Sequence, residues 1–215
     1  LSHHIFHTKL AWLSNSTAMR LPTALLSSIL IALVYLFGSE LYGRRVGFFS
    51  ALALLLQPRF FFHAHLACFD AGITVLWFAV IYSFWKSLHQ PRWAWLTGIL
   101  WGLALATKLT AFFLPIVLTA HWSLTYLPHF RWRKSDTQKR ALELPAIPWS
   151  LIAMACIGPI IFYAHLPYIW VNTWERVQWY MKFLLIHVDY FVYYFGQYRQ
   201  QGPHPWSFPW VMTLF

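Results

Sequence analysis

Long apolar runs broken by short polar punctuation fill most of this chain, and their lengths predict its architecture. Leu21–Gly38, Val46–Phe62, Asp70–Trp85, Trp93–Thr107, Leu109–Leu127 and Trp149–Leu166 are predominantly apolar, and another run opens at Trp206 and reaches Phe215. A hydrocarbon layer ~30 Å thick takes about 20 helical residues to cross. In that layer the backbone must satisfy its own hydrogen bonds, which selects helices. The pattern therefore predicts six membrane spans and the start of a seventh. The run from Trp93 to Leu127 would make a helix of about 52 Å, too long for one crossing, so it must turn. Lys108 is the natural place, because a lysine at mid-bilayer is costly whereas one at the surface can snorkel.

The predicted fold is all-α: a polytopic transmembrane helical bundle with an external loop that carries an amphipathic helix. Residues 1–20 form a tail before the first span, 21–127 hold five spans, and 128–148 form a basic connector bracketed by prolines. Residues 149–166 are the sixth span, 167–205 the external loop, and 206–215 the start of the seventh. Within the loop, Asn172 or Thr173 can cap a helix running to about Val188, with Glu175 in its first turn. Val177, Tyr180, Met181, Leu184 and Leu185 recur at helical spacing and give it one apolar face, suited either to the membrane surface or to the protein's own spans.

Charge adds an orientation. Alternate turns gather Arg44, Arg45, Lys86, Arg92, Arg131, Arg133, Lys134, Lys139 and Arg140 on one side, while the short turns opposite hold Arg59 and Lys108. Lysine and arginine in short loops mark the cytoplasmic side, so Asp70, Lys108 and the 167–205 loop are expected outside. The net charge of +10 is then topology. With charged residues at 10% and scattered between apolar spans, no single basic face is available for nucleic acid, and no nucleic-acid partner is expected. Aromatics are 20% of the chain, and Trp93, Trp95, Trp122, Tyr126, Trp149, Trp170 and Trp174 fall near span ends, as interfacial belts do. The two cysteines, Cys68 and Cys156, suggest free thiols rather than a disulfide framework. A chain opening on Leu1 and closing in an apolar run reads as a fragment.

Candidate chemistry lies at the expected external ends. The string PRFFFHAHLACFD, Pro58 to Asp70, brings Arg59, His63 and His65 up to Asp70, which opens the next span. Asp70 can simply cap that helix, but a cap does not account for the company of an arginine and two histidines. His63, His65 and Asp70 invite a metal reading, yet residues two apart on a helix point about 200° away from each other, so no metal site is expected. Lys108 and Arg59 are suited to a phosphate, one as a point charge and the other as a fork. No Walker loop, dinucleotide fingerprint or nucleophile elbow occurs, and no cofactor is expected.

RLPTAL with LVYLFGSELYGRRVG, PRFFFHAHLACFD, WLTGILWGLALATKLTAFFLP and YYFGQYRQQGPHPWSFPWVM, taken in this order, resemble the membrane glycosyltransferases related to dolichyl-phosphate-mannose protein mannosyltransferases, in particular bacterial relatives that use polyprenyl-phosphate sugars. The resemblance covers nearly the whole chain. It implies a multi-pass protein of the bacterial inner membrane that moves a mannose-like sugar from a polyprenyl-phosphate donor to a protein, lipid or glycan acceptor on the external face. It makes Asp70 the acidic residue after the third span and Lys108 the basic residue at the outer end of the fifth. Arg59, His63 and His65 fall in the matching string as donor-binding candidates. The family's catalytic acid belongs to the first external loop, and Leu1–Met19 contains no Asp or Glu, so the fragment alone is expected to be inactive. The competing classes are a noncatalytic membrane partner and a lipid flippase or transporter; a transporter should line a polar path through the midplane, and no such path is legible.

Overall fold

The computed structural model describes residues 1–126, 132–134, 140–142, 148–185, 191–199 and 205–214. They form two compact units, Leu1–Pro167 and Tyr168–Phe215.

The first unit is helical. A π-helical segment, His4–Lys9, precedes α1 (Asn15–Tyr42), whose start is fixed by Ser14: its hydroxyl accepts from the Thr17 amide at 3.3 Å. Gly43, at φ 93°, is the whole connection to α2 (Arg44–Leu56). This left-handed conformation is one that glycine adopts without steric cost. α3 (Pro58–Ala64) and α4 (Phe69–His89) follow, then α5 (Trp93–Thr107). A 3-10 turn, Leu109–Phe112, leads into α6 (Phe113–Tyr126), and α7 is Trp149–His165. The connector before α7 contains two short antiparallel strands, β1 (Trp132–Lys134) and β2 (Arg140–Leu142), with Arg133 opposite Ala141.

All six predicted apolar stretches are helical, but not all of them reach the length of a membrane span. Three helices are long and apolar enough to cross a membrane: α1, α4 and Leu109–Tyr126. A fourth is reached if α2 and α3 together count as one span, bent by 71°. The bend has a local cause. Pro58 starts α3 and its ring drives Gln57 into extended backbone, φ −69° and ψ 116°, so the run read as one continuous span breaks there. α5 and α7 are apolar but have only 15 and 17 residues. α5 stops because Lys108 is extended, φ −156° and ψ 131°, at the position where length required a turn.

Packing within this unit is unlike that of a soluble bundle. The core joins Ile73, Val80 and Phe84 of α4 to Trp101, Ala104 and Leu105 of α5, with Ala111, Leu114, Leu118 and Met154. Leu25, Ile29, Phe48, Phe49, Ile116 and Val117 are exposed. Rows of apolar side chains facing outward, with small residues at the helix contacts, suit a lipid solvent, where burial gives no hydrophobic gain and close packing holds helices together. The most extensive contact is α5 on α7. A Cβ added at Gly98 would stand 2.6 Å from the Ala153 carbonyl oxygen, one at Gly102 2.8 Å from that of Gly158, and one at Gly158 2.2 Å from the Trp101 ring. The Gly98–Gly102 spacing is the small-xxx-small motif of close helix pairs. Two buried hydrogen bonds lock the arrangement. Trp101 Nε1 donates to the Ala111 carbonyl at 2.8 Å, pinning the 3-10 turn to α5, and Thr97 Oγ1 donates to Ser83 Oγ of α4 at 3.0 Å.

In the second unit α8 runs from Thr173 to Leu185, beginning at the predicted cap, with Glu175 in its first turn. The expected end at Val188 lies outside the described residues. Arg176 stacks over the Tyr168 ring at 4.8 Å and donates to the Tyr168 carbonyl. β3 (Val192–Tyr194) and β4 (Gln197–Arg199) pair antiparallel across Phe195 and Gly196, both at positive φ, the geometry of a two-residue type I′ hairpin. Buried Tyr194 bonds through its hydroxyl to Ser207 Oγ at 2.8 Å, just before α9 (Phe208–Leu214), where the seventh span is expected to start. Phe215 lies outside the described residues.

Candidate functional site

The bundle carries an ion pair at each end of α4, and the two ends differ. Asp70 and Lys86 are separated by about 24 Å of continuous helix. At the C-terminal end, Glu40 from the last turn of α1 accepts from Lys86 Nζ at 2.7 Å and from the Tyr82 hydroxyl at 2.9 Å. The Lys86 ammonium is ringed by Tyr82, Trp85 and Trp93 at 5.6–5.7 Å. This cluster is satisfied internally, and an aromatic box around a paired lysine is an anchor.

At the N-terminal end the pair is open. Lys108 Nζ donates to Asp70 Oδ1 at 2.8 Å, with the two side chains 48% and 56% exposed. Both positions follow from local chain logic. Asp70 sits in the first turn of α4, where a carboxylate is favoured by the helix dipole. Lys108 is the extended residue between α5 and the 3-10 turn, so its side chain leaves the bundle rather than entering it. Beside the pair opens a cavity of about 460 Å³ lined by Gln57, Arg59, Phe60, His63, Ala64, Asp70, Ala71 and Thr74. Lys108 lines an adjoining cavity of about 250 Å³ with Ile73, Thr74, Trp77 and Thr110, and Thr74 is common to both.

The structure thus gathers Arg59, His63, Asp70 and Lys108 at one end of the bundle. It leaves His65 apart. The His65 ring lies against Phe61, 4.5 Å between centroids, and its Nδ1 is 2.7 Å from the Phe61 carbonyl, so it closes the last turn of α3 instead of lining the cavity. Asp70 does not cap α4 as expected: the helix starts one residue earlier, with Cys68 at the N-cap position, and the Asp70 carboxylate is engaged by Lys108 while its own carbonyl accepts from Thr74 Oγ1 at 2.6 Å. Sequence reasoning missed Cys68, whose place is set by the length of α3. The helix ends at Ala64, and extended backbone at Cys68 returns the chain so that ligand atoms of His63, Cys68 and Asp70 lie within 4.8 Å of one another.

An exposed pair of opposite charges beside an arginine that has no ion-pair partner among the described residues can bind an anion and hold a proton acceptor near it. A helical bundle with apolar sides facing outward and this chemistry at one mouth defines an integral membrane protein with a polar site at the end of its bundle. Its sequence matches the model of the dolichyl-phosphate-mannose-protein mannosyltransferase family over residues 5–163. The chain belongs to that family and is a membrane protein of the glycosyltransferase class. No curated protein and no solved structure matches it.

Proposed function

We propose that the protein transfers a mannose-like sugar from a polyprenyl-phosphate donor to a protein, lipid or glycan acceptor on the external face of the bacterial cell membrane. The observation that carries this reading is the open Asp70–Lys108 pair at 2.8 Å beside the cavity that Arg59 lines. A lipid-phosphate sugar brings its own leaving group. The acceptor hydroxyl attacks the anomeric carbon, the carbon–oxygen bond to phosphate breaks, and the phosphate leaves with its electron pair. Two demands follow: a carboxylate to take the acceptor's proton and cations to stabilise the departing anion. Asp70 is the carboxylate at this mouth among the described residues, in addition to the proton acceptor that the family resemblance puts in the first external loop and that Leu1–Met19 does not contain, while Lys108 and Arg59 are the cations. His63 lines the same cavity and contributes a hydrogen bond to donor or acceptor. The mouth lies at the end of α4 away from Lys86, the end that charge asymmetry assigns to the outside.

Asp70→Asn and Lys108→Met should each lower sugar transfer from a polyprenyl-phosphate donor on the order of a hundredfold, as loss of a charge-assisted contact made mainly in the transition state does. The assay uses membranes of cells expressing the full-length parent, with its level checked by immunoblot. Transfer at the parental rate by both variants would move the site elsewhere.

A further inference from the structure

The geometry points to a zinc-class divalent metal site built by His63, Cys68 and Asp70 at the junction of α3 and α4. The three residues offer imidazole nitrogen, thiol sulfur and carboxylate oxygen, all within 4.8 Å of one another. No two come from the same local repeat: His63 is near the end of α3, Cys68 precedes α4 in extended backbone, and Asp70 is in the first turn of α4. A tetrahedral zinc with bonds of 2.0–2.3 Å separates its ligand atoms by about 3.3–3.8 Å. Closing from 4.8 Å needs about an ångström of movement, which the connecting residues and a side-chain rotation can supply.

Two further observations single the cluster out from a chance gathering of polar groups. His63 Nδ1 is buried and has no hydrogen-bond partner among the described residues, a state that is costly for an imidazole and is expected where an ion completes the environment. The thiol of Cys68 is poorly satisfied as well, its contact being a long 3.9 Å donation to the His63 carbonyl. Asp70 can serve an ion without releasing its lysine, because Lys108 holds Oδ1 and leaves Oδ2. A donor set of thiolate, imidazole and carboxylate is borderline-soft, which favours zinc over magnesium or calcium. Three protein ligands leave a fourth position, and since His63 and Asp70 line the cavity, that position is reached from it. Cys68 gives up its proton to solvent as the ion binds. This site stands on geometry that does not depend on the sugar-transfer reading.

The test uses the full chain in detergent on a background with His3, His4 and His7 changed to Ala and Cys156 to Ser. This removes the His3–His7 pair, whose rings lie 4.9 Å apart, and the second thiol. The protein is equilibrated with Zn²⁺ or Co²⁺ and dialysed, metal content is measured by mass spectrometry, and the cobalt form is scanned for a thiolate charge-transfer band. One ion per chain with that band is expected. Cys68→Ser should abolish the band, and Asp70→Asn, which keeps the side chain's shape, should weaken binding by more than the roughly 10–100-fold that losing an outer-shell partner costs. A parent protein that leaves dialysis without metal, or a Cys68→Ser protein that binds as the parent does, would overturn the site. Metal content is read with no donor or acceptor present, so an inactive transfer assay and an empty metal site are separate results.

Discussion

His63 and His65 sit two residues apart and have different fates, which shows how far a single position can be read from sequence. The 200° offset between them was legible, although both were expected at the donor site; in the structure one lines the cavity, and the other folds back on Phe61. What could not be read was Cys68, because its approach to His63 depends on the residue at which α3 ends. His65→Ala should therefore change stability by less than about 0.5 kcal/mol and leave transfer near the parental rate, whereas His63→Ala should lower it; parallel transfer assays decide. The opposite end of α4 offers a contrasting test. Glu40 joins Lys86 and Tyr82 in a half-buried cluster, so Glu40→Gln should cost about 1–2 kcal/mol through loss of a charge-assisted hydrogen bond. Thermal unfolding in detergent should show a lower midpoint with transfer chemistry otherwise intact.

At the scale of elements, the apolar runs locate the helices α1 to α7, since periodicity and length report lipid burial directly, while the π-helical segment His4–Lys9 lies in what was read as a tail. The break at Lys108 was legible for the same reason, by arithmetic on a run too long to cross once. The break at Pro58 was not drawn, although Gln57–Pro58 carried its signal, because hydropathy stays high across it. Nor does hydropathy reveal which helices pair. The α5–α7 contact rests on Gly98, Gly102 and Gly158, where an added methyl would meet backbone or the Trp101 ring. Gly98→Ala should cost about 1–3 kcal/mol through overpacking. Gly72→Ala, whose new Cβ would meet nothing nearer than 3.9 Å, should be neutral or stabilise by about 0.5–1 kcal/mol as a helix-interior glycine replaced by alanine. Unfolding of both variants in the same detergent compares them; equal destabilisation would remove the special role of the α5–α7 contact.

For the whole molecule the central expectation is sidedness. Cysteines placed singly at 44, 86, 70 and 108, in a background lacking Cys68 and Cys156, should label with an impermeant reagent in two groups: 70 and 108 from outside, 44 and 86 only after the membrane is opened. Labelling of 86 and 108 from one side would undo the placement of the mouth. The bundle's helices also differ in reach. α1 and α4 extend about 42 and 32 Å, but α5 and α7 only about 22 and 26 Å, short of a ~30 Å hydrocarbon layer. Lipids beside the short pair must compress to meet them, at a cost of fractions of a kcal/mol per ångström. The protein should accordingly be sensitive to acyl-chain length, melting at a higher temperature in bilayers of short-chain phosphatidylcholine than in long-chain ones. The same dimple would draw the membrane surface toward the Lys108 end of α5, so that the phosphate of the proposed lipid-linked donor would meet the cation without leaving the headgroup layer.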